Sequence, residues 1–118
     1  MSNKASHNKA LGGVPREALL ATITSLFQAL GDSTRVKILY ALQKDEMCVK
    51  DLAKHVGISQ SGISHQLSYL RKLKFVQTRK EGNIVFYALR YKHLLAILKE
   101  AEYYADHIAR DLPDHPYK

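Results

Sequence analysis

Cysteine occurs once in the 118 residues, as Cys48, so an intramolecular disulfide is excluded and a multi-thiolate metal site cannot be built from this chain alone. Long hydrophobic runs are also missing. No stretch approaches the roughly 18 apolar residues of a membrane-spanning helix. Met1 to Pro15 is polar, rich in Lys, Asn, Ser and His, where a secretion signal would run from charged to apolar. These absences predict a soluble protein of the reducing cytoplasm, with no membrane partner. A Gly-rich phosphate loop, a nucleophile motif and paired carboxylates are absent as well, which argues against an enzyme. No internal repeat or low-complexity segment divides the chain. With 46% hydrophobic residues, it is long enough for one core and too short for two. The expected organisation is a flexible arm over residues 1–14, one domain over 15–110 and an irregular tail over 111–118, where Pro113 and Pro116 stand.

Acidic side chains are scarce in the middle of the chain. Residues 47–92 hold nine Lys or Arg against two acids, while residues 1–46 hold six against four and residues 93–118 three against five. The central block therefore carries the whole net charge of +7. A basic block between near-neutral or acidic flanks is the footprint of a polyphosphate binder, because each cation placed on a phosphate releases counterions.

Helical periodicity opens with Pro15 as an early helical residue and continues through Leu19, Leu20, Ile23, Leu26, Phe27 and Leu30 up to Gly31. Asp32 or Ser33 caps a second helix, with Val36, Ile38, Leu39, Tyr40 and Leu42 as its apolar content and Lys44-Asp45-Glu46 as a polar exit. Met47-Cys48-Val49 reads as a short extended piece. Lys50 to Val56 then forms a stubby helix with Leu52, Ala53 and Val56 inward, and Gly57 supplies its left-handed terminus.

The next helix, opened by Ser59, is the most telling. Ile63, Leu67, Leu70 and Leu73 fall on one stripe, and Ser61, Ser64, His65, Ser68 and Lys72 fall on the opposite one. An ordinary solvated face carries long Glu and Lys side chains, and serine is a mediocre helix former. Three serines on an exposed face suit a helix that settles into a DNA groove. Two short helices joined by a Gly turn are the helix-turn-helix signature. Phe75 to Arg79 and Ile84 to Leu89 follow as β-rich runs around Lys80-Glu81-Gly82-Asn83, a two-stranded hairpin tipped with Arg79 and Lys80. A basic hairpin after a recognition helix is the wing of a winged helix, placed to touch phosphates or a minor groove. From Tyr91 to Arg110 a last helix carries Leu94, Leu95, Ile97, Leu98, Ala101, Tyr104, Ala105 and Ile108, an apolar arc wider than one core needs.

The predicted fold is mainly α with a small β-hairpin: a winged helix-turn-helix of about five helices and a two-stranded wing, dimeric through the first and last helices. Such a homodimer would set two readers about one DNA turn apart on an inverted repeat. A winged helix used for protein contact is the competing reading. The Ser-rich face argues against it, since protein interfaces prefer aromatic and Arg anchors.

Four pieces in order, Phe27-Gln-Ala-Leu-Gly-Asp-Ser-Thr-Arg35 with Ile38-Leu39, Cys48-Val-Lys-Asp-Leu-Ala53, Ser64-His-Gln-Leu67 with Leu70, and Arg79-Lys-Glu-Gly82 with Tyr87, resemble the ArsR/SmtB family of small dimeric winged-helix repressors. The resemblance runs from about Leu26 to about Ile108. It implies a repressor released from its operator by a metal ion or another signal, with Ser64 and His65 at base-reading positions and Gln60 and Ser61 at the helix entrance. The side chains suit those positions, since a Gln amide pairs with adenine, Ser donates or accepts, and His65 reaches a guanine or a phosphate. Arg79 and Lys80 are assigned to phosphate or minor-groove contact. Lys50, Lys54, Arg71 and Lys72 are backbone clamps or simply solvated.

The sensing chemistry of that family is incomplete here. Its Cys-x-Cys pair corresponds to Cys48-Val49-Lys50, where a cation has replaced the second thiolate, so cadmium, lead or arsenite sensing at that site is not expected. Its last-helix site corresponds to Tyr91-Lys92-His93 and Tyr104-Ala105-Asp106-His107, leaving His93 and His107 as ligands from two protomers. Glu100, Asp106, Asp111 or His115 would have to complete a shell, and such ligands favour zinc, nickel, cobalt or manganese. The alternative is that both histidines are surface or interface residues without metal, with tyrosine packing in place of coordination. A redox role for Cys48 needs an accessible, activated thiolate, and a structural cysteine is the default.

Overall fold

The computed structural model describes residues 13–111. Its elements are α1 (Glu17–Leu30), α2 (Ser33–Lys44), β1 (Met47–Cys48), α3 (Val49–Val56), α4 (Gln60–Lys72), β2 (Val76–Glu81), β3 (Ile84–Leu89) and α5 (His93–Ala109). Nearly all of the expected arm and tail, including Pro113, His115 and Pro116, lies outside the described residues.

Local signals set most boundaries. Asp32 caps α2 by accepting the Arg35 N–H at 3.1 Å, and Ser59 Oγ caps α4 by accepting from Gly62 N at 3.0 Å. Gly57 ends α3 at φ 84°, a left-handed conformation that glycine adopts without a Cβ penalty. Pro15, expected inside the first helix, precedes it, because the helix starts two residues later behind Arg16.

The wing differs from the expected two-stranded hairpin in two ways. β1 pairs antiparallel with β3, Met47 opposite Tyr87 and Cys48 opposite Phe86, so the sheet has three strands in the order β1-β3-β2. The extended piece before α3 is thereby given a partner for its backbone polar groups. β2 also runs on through Lys80 and Glu81, which pairs with Ile84, leaving Gly82 and Asn83 as the turn. Gly82 has φ 62°, as the first central position of a tight II′ hairpin requires.

The core joins α2, α3 and α4 to the base of the wing. Ile38, Leu39, Leu52, Ile63, Leu67, Leu70 and Val76 are fully buried, and no polar or charged residue among those described is buried with them. Val36, Tyr40 and Val56, expected inside, are half-buried. α5 buries Leu94 and Leu98 in the core and packs Leu95 and Ile97 partly buried against it. Phe27 on α1 is 61% exposed and Ile108 on α5 63%, with Leu19, Leu20, Tyr103 and Tyr104 also uncovered. No helix among the described residues is long and apolar enough to cross a membrane.

Candidate nucleic-acid interface

α4 has the two faces its sequence implies. Ile63, Leu67 and Leu70 have no exposed surface, while Gln60, Ser61, Ser64, His65, Ser68 and Lys72 are all exposed. The helix is held from below and offers short hydrogen-bonding groups above. Ser61 Oγ lies 3.3 Å from Ser59 Oγ, so the helix entrance already carries a small hydroxyl pair. Each of the six exposed residues has a donor or acceptor matched to base edges or phosphate oxygens.

Arg79 and Lys80 are not equivalent, because adjacent strand residues point to opposite faces of the sheet. Arg79 Nε donates to Glu46 Oε1 at 2.8 Å and Oε2 at 3.0 Å, Nη2 donates to Glu46 Oε2 at 2.6 Å, and Nη1 donates to Glu81 Oε1 at 3.1 Å. Its guanidinium also lies 4.6 Å from the ring of Phe86, its direct cross-strand partner. The Arg79 hydrogen bond holds the Glu46 carboxyl below its usual range, and the two carboxylates raise the guanidinium further. Arg79 thus clamps the wing to the end of α2, with its charge already matched by two acids. The sequence assigns Arg79 to phosphate or minor-groove contact; its pairing with Glu46 is not apparent there, because Glu46 lies 33 residues away. Lys80 is exposed on the other face, one residue short of Glu81 and the turn, rather than at the tip itself.

Arg35, which the sequence shows only as part of a family motif, joins α1, α2 and α4. Its Nε donates to the Ala29 carbonyl at 2.9 Å, Nη2 to the Gln28 carbonyl at 3.3 Å and Nη1 to Gln66 Oε1 at 3.2 Å. The guanidinium stacks 4.4 Å from the centre of Tyr69. The available signal was a cation in the first turn of α2, where the helix dipole disfavours positive charge.

The candidate metal ligands are dispersed. Among the described residues no three His, Cys, Asp or Glu gather into a metal-holding group. His93 begins α5 and His107 lies near its end, roughly 21 Å along the axis at 1.5 Å per residue. One protomer therefore cannot bring them together. His93 stacks on Tyr91 with ring centres 5.6 Å apart, and His107 packs 4.3 Å from Tyr103, its Nδ1 being 3.1 Å from the Tyr103 carbonyl. Asp106 pairs with Arg110 at 3.3 Å, and Asp111 sits just past the helix with φ 52°. Glu100 is exposed on the same helix, and Cys48 is half-buried in β1.

The sequence profile described as bacterial regulatory protein, arsR family, matches residues 32–78, from the cap of α2 into β2. The HTH-type transcriptional regulator KmtR of Mycobacterium tuberculosis is 34% identical over 93 residues, which span 79% of this chain and 72% of that protein. The transcriptional repressor SmtB homolog of Synechocystis is 37% identical over 86 residues, 73% of this chain and 63% of that one. Among solved structures, HlyU from Vibrio cholerae superposes with a TM-score of 0.67 at 32% identity, covering 73% of this chain and 94% of that one.

Proposed function

Because this chain belongs to the arsR family of bacterial regulatory proteins, and so is a DNA-binding transcriptional regulator rather than an enzyme, we propose that it is a homodimeric repressor released from its operator by an inducer. In this reading Ser64 and His65 read base edges, Gln60 and Ser61 fix the helix entrance, and Ser68, Lys72 and Lys80 hold the backbone. The carrying observation is the face of α4: six exposed polar residues over a fully buried apolar stripe. The uncovered apolar residues of α1 and α5 support association of two copies, which would present two readers to an inverted repeat.

Selection of bound duplexes from a random pool should return an inverted repeat, with affinity for it falling steeply as salt rises. Replacing Ser64 and His65 together by Ala should remove preference among sequences, with each base-reading interaction worth about 1 to 3 kcal/mol. A double variant that kept the wild-type preference would show that α4 is not the reader.

For the inducer, imidazole and carboxylate ligands on α5 favour zinc, nickel or cobalt. Since one protomer holds no complete set among its described residues, such a site needs residues from both copies. The specific observation favouring an inducer other than metal is that each histidine is packed against a tyrosine. Titrating the DNA complex with zinc, nickel and cobalt separates the two readings. Release that disappears in His93→Ala and His107→Ala supports the metal; no release by any of the three supports the alternative.

A further inference from the structure

Arg35 occupies a position that helix electrostatics oppose. It stands in the first turn of α2, where the unpaired N–H groups already provide positive charge. Its side chain instead spans three elements. Two arms of the guanidinium donate to the Gln28 and Ala29 carbonyls, which belong to the last turn of α1 and mark the negative end of that helix. The third arm donates to Gln66 of α4, and the flat face lies on Tyr69 one turn away. Gln66 and Tyr69 are half-buried beneath the proposed reading face, next in sequence to its residues His65 and Ser68 respectively. α1 and α4 share no extensive packing surface of their own.

We propose that Arg35 is a positioning residue for DNA reading, locking the rotation of α4 to the end of α1, the helix that also presents uncovered Phe27 for association. The proposal rests on α4 being the operator reader. A fixed fork suits this role, because a guanidinium places its donors in one plane and cannot swivel as an ammonium does. A reader held in place before contact spends less binding energy on ordering than one that must be aligned by DNA. Rotation of α4 would swing Ser64 and His65 away from base edges while leaving the charge of the basic block intact. Without the lock, discrimination should suffer more than non-specific affinity.

The experiment compares affinity for the selected operator with affinity for a scrambled duplex of the same length. Wild type is measured first; absence of a preference would overturn the operator-reading function, and this proposal with it. Gln66→Met keeps side-chain length and helix propensity but removes the acceptor. It should lower the operator-to-scrambled ratio about tenfold, with scrambled affinity and thermal midpoint unchanged. Arg35→Lys keeps the charge without the fork and should lower the ratio at least as far. Adding Gln66→Met to Arg35→Lys should cause no additional decrease, because both break one interaction. Retention of the wild-type ratio by Gln66→Met and Arg35→Lys overturns the proposal alone. So does a parallel fall of both affinities together with the midpoint, which would make Arg35 an ordinary stabiliser of the fold.

Discussion

Two neighbouring cations on one strand behave differently, and the difference lies in what each side chain meets. Lys80 is exposed and one position from the wing's last pair, so Lys80→Ala should weaken every duplex alike and reduce the slope of log affinity against log salt by about one. Arg79→Ala should leave that slope unchanged and loosen the wing, seen as faster amide exchange in β2 and β3. Equal slope changes for the two variants would restore Arg79 to the phosphate contacts. The same clamp sets a pH dependence. Glu46 gives up its proton more readily folded than unfolded, so the Glu46–Arg79 pair stabilises above the ordinary carboxylate pKa and ceases to do so as pH falls through the lowered value. Acid should therefore speed amide exchange in β2 and β3 modestly, beyond the intrinsic rate, as pH falls through that value, and Glu46→Gln should remove this pH dependence.

At the scale of elements, capping is legible because it is local chemistry. Asp32, Ser59 and Gly57 mark helix ends through groups within three or four residues of the backbone they satisfy. Gly57→Ala tests this. Nothing lies within 4 Å of an added Cβ, so the whole effect is the left-handed backbone, and it should cost about 1 kcal/mol of unfolding free energy by urea denaturation with an unchanged m-value. No measurable destabilisation would mean that the turn relaxes to negative φ. Met47 and Cys48 are extended as the sequence reads them, but their pairing into the sheet is not legible, since Phe86 and Tyr87 are distant in the chain. The length of β2 is equally hidden. Lys80 and Glu81 are polar and read as loop, yet pairing with Val85 and Ile84 fixes them as strand.

For the whole molecule, the uncovered residues of α1 and α5 are the feature that one chain does not account for. Phe27→Asp combined with Ile108→Asp should leave a folded monomer by sedimentation, with near-native circular dichroism and operator affinity reduced to that of a half-site. A double variant that stays dimeric would place the interface elsewhere. The breadth of the apolar arc on α5 is visible in the sequence because helical spacing reports how much surface is apolar. It does not reveal how that arc divides: Leu94 and Leu98 are buried, Leu95 and Ile97 pack partly buried against the core, and Tyr104 and Ile108 stay exposed.

By itself the sequence determined most helix ends, the two faces of α4, the concentration of charge in the central block and the departure from both familiar metal sites. Each of these depends on residue type at short, regular spacing. Tertiary structure alone decided that Arg79 is a clamp, that Arg35 bridges α1 and α4, that β1 completes the sheet and that His93 and His107 are too far apart to meet within one protomer. These outcomes depend on which distant groups come within hydrogen-bonding range, and the periodicity of a chain carries no information about that distance.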